Sequence, residues 1–181
     1  QLGTFQPYSG ASSCSDAEPG HYVDTNGSAS QMDCPPTTYN PATGSNDRDD
    51  CIDVEPGHYS DEWGTAEHLE CTLGTYQPNP GQMSCLDADS GHFVPSSGAT
   101  SQSACPAGTY NPSEASGSAA DCAPADPGHY VGSQASSSQT PCSPGTYQNS
   151  LGQLSCIDAA PGHYVSEEGQ AEQTPASLDT Y

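Results

Sequence analysis

The nine cysteines of this 181-residue chain stand on a lattice without insertion or deletion: Cys14, Cys85 and Cys156 are 71 residues apart, as are Cys34 and Cys105, Cys51 and Cys122, and Cys71 and Cys142. Units this short cannot bury an apolar face alone, so a chain with this period must stack its repeats, each contributing a fragment of a shared core.

Two motifs alternate along the lattice. Gly-Thr motifs begin at Gly3-Thr4-Phe5, Thr37-Thr38-Tyr39, Gly74-Thr75-Tyr76, Gly108-Thr109-Tyr110 and Gly145-Thr146-Tyr147; His motifs stand at His21-Tyr22, His58-Tyr59, His92-Phe93, His129-Tyr130 and His163-Tyr164. Divided at the cysteines, the Gly-Thr modules are 1–14 (opening cysteine missing), 35–51, 72–85, 106–122 and 143–156, and the His modules are 15–34, 52–71, 86–105, 123–142 and 157–176. Residues 177–181 open a further module, and the phase of both ends suggests a segment of a longer array. His stretches always span 20 positions from cysteine to cysteine, whereas Gly-Thr stretches alternate between 14 and 17. The short ones continue with Gln after the aromatic, the long ones with Asn-Pro.

Eleven of the 13 aromatic residues share one module position, from Phe5 to Tyr181, leaving out only Tyr8 and Trp63. A glycine two residues before the ring suits a backbone with positive φ, and the Pro-Gly pairs at 19–20, 56–57, 127–128, 144–145 and 161–162 suit type II turns. Each module is therefore predicted to be a small β-hairpin with one buried ring. The fold class is small, disulfide-rich and all-β: an elongated rod of tandem hairpins with almost no helix.

With 19 Gly, 17 Pro and 31% hydrophobic residues the chain has little material for long helices or a large core. Such a composition alone would indicate disorder, but regularly spaced cysteines imply a disulfide framework made in an oxidising, extracellular compartment. No apolar run of about 18 residues is present to span a membrane. The formal charge of −22, with Arg48 the only Lys or Arg, excludes nucleic acid and anionic lipid as partners, since both are bound through basic side chains.

No residue pattern supports catalysis: there is no G-x-S-x-G, and the cysteines are committed to bridges. Five of the six histidines hold one module position, which reads as packing or hydrogen bonding rather than convergence on one ion. Alternate carboxylates before the His turns, Asp16/Glu18, Asp53/Glu55 and Asp87/Asp89, are candidate Ca²⁺ ligands, set against a plain solvated acidic face. Asn46, Asp47, Asp49 and Asp50 form the densest acidic cluster. Asn26-Gly27-Ser28 is an N-glycosylation sequon, and Ser133 to Thr140 would accept O-glycans. Trp63, within Ser60-Asp61-Glu62-Trp63, has no counterpart in other modules and is the candidate ligand contact.

Cys105-Pro106-Ala107-Gly108-Thr109-Tyr110 and Cys142-Ser143-Pro144-Gly145-Thr146-Tyr147 resemble the opening of the ephrin-receptor-like cysteine-rich repeats, which are similar in turn to the first half-module of tumour-necrosis-factor receptor domains. The similarity runs over essentially the whole chain. It implies an extracellular protein of the kind found as arrays in receptor ectodomains, adhesins and surface filaments. The family has C-x-x-C between modules, whereas each junction here keeps one cysteine, so that the Gly-Thr modules retain both bridge positions and the His modules neither. The resemblance thus implies bridges Cys34–Cys51, Cys71–Cys85, Cys105–Cys122 and Cys142–Cys156, with Cys14 unpaired within the chain. A second register, 14–34, 51–71, 85–105 and 122–142, stays open on the constant spacing of 20. Two functions follow: a non-enzymatic structural segment of a secreted filament, stalk or adhesin that self-associates, or a receptor-like module that binds a protein or glycan. Uniformity of the modules favours the first.

Overall fold

The structure, a computed structural model, describes residues 1–177. The motif expected at Leu178 to Tyr181 lies outside the described residues. Backbone contacts divide the chain into two units, Gln1–Leu86 with Ser96–Ser101, and Asp87–Pro95 with Gln102–Tyr181.

One hairpin recurs in both units. In the first, His21–Tyr22 pairs antiparallel with Met32–Asp33, and Thr38–Tyr39 with Ile52–Asp53. In the second, His129–Tyr130 pairs with Thr140–Pro141, and Thr146–Tyr147 with Ile157–Asp158. Strands of two residues contribute little by themselves, so turn chemistry has to set the geometry. The His129 N–H donates to the Asp126 carbonyl at 3.0 Å across Pro127-Gly128, with Gly128 at φ +85°. That is the type II turn expected from Pro followed by Gly. Thr37 stands at the same turn position with φ +77°, a conformation costly for a β-branched residue.

Register explains the two cysteine spacings. His21 faces Asp33 and Thr146 faces Asp158, the same offset in both motif types, whereas Thr38 faces Asp53 and Thr109 faces Pro124, three residues more. The three extra residues form 3₁₀ turns, Arg48–Asp50 and Ala119–Asp121, each closed by a capping box. Asp47 accepts from the Asp49 N–H at 3.0 Å, while the Asp50 carboxylate accepts from Asn46 at 2.8 Å and Asp47 at 3.1 Å. The densest acidic cluster is thereby occupied in capping its own turn. Return strands of Gly-Thr hairpins start just after the closing cysteine, and those of His hairpins end just before the opening cysteine of the next module, so the hairpins are offset from the cysteine divisions.

The core is not built of rings. The module aromatics are half-buried, and Tyr164 is exposed. The expectation of one buried ring per hairpin is corrected: the residue after the ring, such as Val23, Asn40, Gln77, Val94 and Asn111, is almost fully buried, together with a column in each unit, Ala17, Cys34, Val54 and Cys71 in the first and Ala88, Cys105, Ala125 and Cys142 in the second. Small residues suit these columns because successive backbones approach closely there. The Gly64 N–H donates to the Cys34 carbonyl at 2.9 Å, and the Gly169 N–H to the Cys142 carbonyl at 2.8 Å, each from the next hairpin but one.

Adjacent hairpins exchange a second set of backbone bonds. The turn glycine donates forward, Gly20 to the Asn40 carbonyl and Gly128 to the Gln148 carbonyl, each at 2.7 Å. The residue after the ring also donates forward, Val23 to the Ser45 carbonyl at 2.9 Å and Asn111 to the Ser136 carbonyl at 3.0 Å. Buried amide side chains close the loops. Gln77 Nε2 donates to the Ser84 carbonyl at 2.9 Å in a short loop, and Asn111 Nδ2 donates to Ser116 Oγ at 2.8 Å in a long one. The Gln or Asn after the ring is thus matched to loop length.

Candidate functional site

Four disulfides are present, Cys34–Cys51, Cys71–Cys85, Cys105–Cys122 and Cys142–Cys156, all in Gly-Thr hairpins; Cys14 is free and exposed. The His hairpins hold other residues at the two bridge positions. Four carry Ala with Gln: Ala17 and Gln31, Ala88 and Gln102, Ala125 and Gln139, Ala159 and Gln173. In each, the Gln Oε1 accepts the backbone N–H next to that alanine, from Glu18 at 2.9 Å and from Asp89, Asp126 and Ala160 at 2.7 Å. A hydrogen-bonded latch therefore stands where its neighbours have a disulfide.

This latch also determines where the carboxylates expected to hold Ca²⁺ are directed. Gln31 Nε2 donates to Glu18 at 3.1 Å and Gln139 Nε2 to Asp126 at 2.8 Å, and Gln102 does the same to Asp89. Asp16, Asp53 and Asp87 lie exposed on return strands, with Asp16 and Asp53 beside the loop glycines Gly44 and Gly81. Among the described residues, only one group gathers three donor atoms of His, Cys, Asp or Glu, and of the six expected carboxylates it contains Glu55 alone.

That group lies in module 52–71, which departs from the pattern. Val54 replaces alanine, Ser60 replaces the buried valine after the ring, and His68 replaces the latch glutamine. Donor atoms of Glu55, His58 and His68 all lie within 4.8 Å of one another. His68 Nε2 is 3.4 Å from Glu55 Oε1. The rings of His58 and His68 meet edge to face at 4.5 Å, and Tyr39 of the preceding hairpin packs on His68 at 4.6 Å in the same way. His58 Nδ1 is 3.4 Å from the Pro56 carbonyl, the local bond that each His-motif ring makes to its own turn. His68 Nδ1 is buried without a partner. Ser60 keeps the loop closed through Thr65, whose Oγ1 lies 3.0 Å from Ser60 Oγ and donates to the Thr38 carbonyl at 3.2 Å.

Trp63, in the same loop, is 65% exposed, and its loop neighbours Ser60, Asp61, Glu62 and Thr65 line a concavity with Glu67 and Leu69. Asn26 is exposed in the corresponding loop of the first His hairpin, accessible as a sequon requires. His68 escaped the sequence reading because the histidines were counted by motif. Its signal was present: it is the one histidine outside the His motif, and it stands where the other His modules have glutamine.

Among the described residues no helix is long and apolar enough to cross a membrane. No curated protein matches the chain significantly. Residues 57–105, a run of His, Gly-Thr and His hairpins, match the family model described as tyrosine-protein kinase ephrin type A/B receptor-like. The matched stretch is thus similar to the ephrin-receptor-like cysteine-rich modules, and the same hairpin recurs in tandem before and after it, with four disulfides in all.

Proposed function

We propose that the chain is a non-enzymatic structural segment of a secreted extracellular filament, stalk or adhesin, in which hairpin stacking is the working principle. The observation that carries this reading is the repetition of the same inter-hairpin bonds. Turn residue to next hairpin, ring-following residue to next hairpin, and loop glycine or alanine to preceding hairpin but one recur along each unit at 2.7–3.2 Å. Repeats coupled by identical nearest-neighbour terms gain stability by propagation and need no special centre. The strong negative charge keeps such a surface soluble and disfavours collapse onto itself. Electron microscopy of the native material tests the reading: uniform fibres or stalks with a periodicity matching the 71-residue repeat support it, and a discrete globular particle overturns it.

A second reading, a receptor-like module that binds a protein or glycan, is favoured by one feature only. Module 52–71 differs from its siblings and exposes Trp63 in a loop whose other residues line an acidic concavity. A ligand whose binding is abolished by Trp63→Ala in an otherwise unchanged chain would establish it.

A further inference from the structure

We propose that Glu55, His58 and His68 bind one divalent first-row transition-metal ion, which serves as the latch of a hairpin that has neither disulfide nor glutamine. This goes beyond the structural reading above and stands on separate observations. At the two bridge positions the chain uses three solutions: cystine in the Gly-Thr hairpins, Ala with Gln in four His hairpins, and Val54 with His68 in the fifth. Only the last brings three metal-ligating side chains together, one of them from the far arm of the hairpin.

The chemistry of the donor set selects the ion. Two imidazoles and a carboxylate form the three-protein-ligand set of open zinc sites, leaving a fourth position for water or a partner group. Imidazole suits Zn²⁺, Cu²⁺ and Ni²⁺ far better than Ca²⁺ or Mg²⁺, which take oxygen ligands. Two ligands on one tetrahedral zinc, at bond lengths of about 2.0–2.2 Å, stand about 3.4 Å apart. His68 Nε2 and Glu55 Oε1 stand 3.4 Å apart, too long for a good hydrogen bond. The ring of His58 completes the set, with a donor atom within 4.8 Å of the other two; its Nδ1 lies 3.4 Å from the Pro56 carbonyl and its Nε2 3.8 Å from Glu70 Oε1, both longer than good hydrogen bonds. The His68 ring is held from the other side by Tyr39. The surrounding negative charge concentrates cations at the surface, and Glu67 and Glu70 flank His68.

The test uses the full chain, stripped with EDTA and dialysed, then titrated with ZnCl₂ by calorimetry and followed by thermal melting. One saturable event per chain is expected, with a rise in Tm that EDTA reverses. His68→Gln installs the residue that the other four His modules carry, and Glu55→Gln alters a half-exposed side chain, so that at least one variant retains the fold. Each should weaken Zn²⁺ by more than the roughly 10–100-fold that loss of an outer-shell partner causes, and each should abolish the Zn²⁺-dependent rise in Tm. His163→Gln, in an exposed His motif outside the cluster, should leave both unchanged. Absence of saturable Zn²⁺ binding overturns the proposal, and so does binding of undiminished strength in the Glu55 and His68 variants.

Discussion

Stacking of each hairpin on the next but one makes a prediction that two glycines can decide. Gly128 and Gly81 both follow a proline, both have left-handed backbones (φ +85° and +62°), and both donate to another hairpin, to the Gln148 carbonyl and the Val54 carbonyl, each at 2.7 Å. They differ in surroundings. A methyl on Gly128 would strike the Gly169 carbonyl oxygen and sit 2.7 Å from its carbon and 3.3 Å from that of Gln170, whereas a methyl on Gly81 would meet only the Asp53 side chain, at an ordinary 3.9 Å. Gly81→Ala should therefore cost only the left-handed penalty, about 1–2 kcal/mol. Gly128→Ala carries that penalty and must also displace backbone that cannot rotate away. Overpacking of this kind costs about 1–3 kcal/mol, and the bond from the Gly169 N–H to the Cys142 carbonyl, 2.8 Å, is lost with the shift. The expected gap is about 2 kcal/mol, near 30-fold in the folding equilibrium. Urea titration of both variants with disulfides intact, followed by tyrosine fluorescence and circular dichroism, measures it. Equal losses in the two variants would refute next-but-one stacking as a source of stability.

Three further perturbations probe the other joints of the array. Thr37→Gly should relieve the φ of +77° and stabilise the chain by about 0.5–1 kcal/mol, the left-handed penalty less the entropy cost of glycine; a lower urea midpoint would show that no strain is held there. Asn111→Ala removes a buried amide that donates to the His92 carbonyl at 3.1 Å and Ser116 Oγ at 2.8 Å and accepts from the Ser113 N–H at 3.1 Å, so a loss of about 2–3 kcal/mol is expected in thermal or urea unfolding, and a loss below about 0.5 kcal/mol would contradict its role in closing the loop. Ala88→Cys with Gln102→Cys should create a fifth disulfide at the latch positions, seen as a cross-linked peptide and a gain of about 3 kcal/mol; free thiols that refuse to oxidise would show that the two latches are not equivalent.

Turns, strand starts and repeat length were open to sequence reading because each rests on local chemistry. Pro127-Gly128 encodes its type II turn in two residues, and the ring at Tyr130 marks the strand that follows. The burial of the rings was not open in the same way. On a strand of two residues the ring and the next side chain point to opposite faces, and nothing local says which face stacks. Contact with the next hairpin placed Val131 and Gln148 inside and left Tyr130 and Tyr147 half-exposed. Gln102 was equally silent: it looked like the mere absence of a cysteine until the hairpin brought it to the Asp89 N–H.

What the sequence by itself determined is the repeating, all-β, disulfide-bearing character of the chain, because cysteine spacing, Pro-Gly turns and low apolar content are one-dimensional facts with local consequences. Only the tertiary structure decided how each hairpin is latched, which small residues are buried in each unit, and that Glu55, His58 and His68 come together. The physical reason is that a latch and a site are distances across a hairpin. His58 and His68 lie in one module but on its two arms, and only the return of the chain at Leu69–Glu70 carries the second ring back to the first.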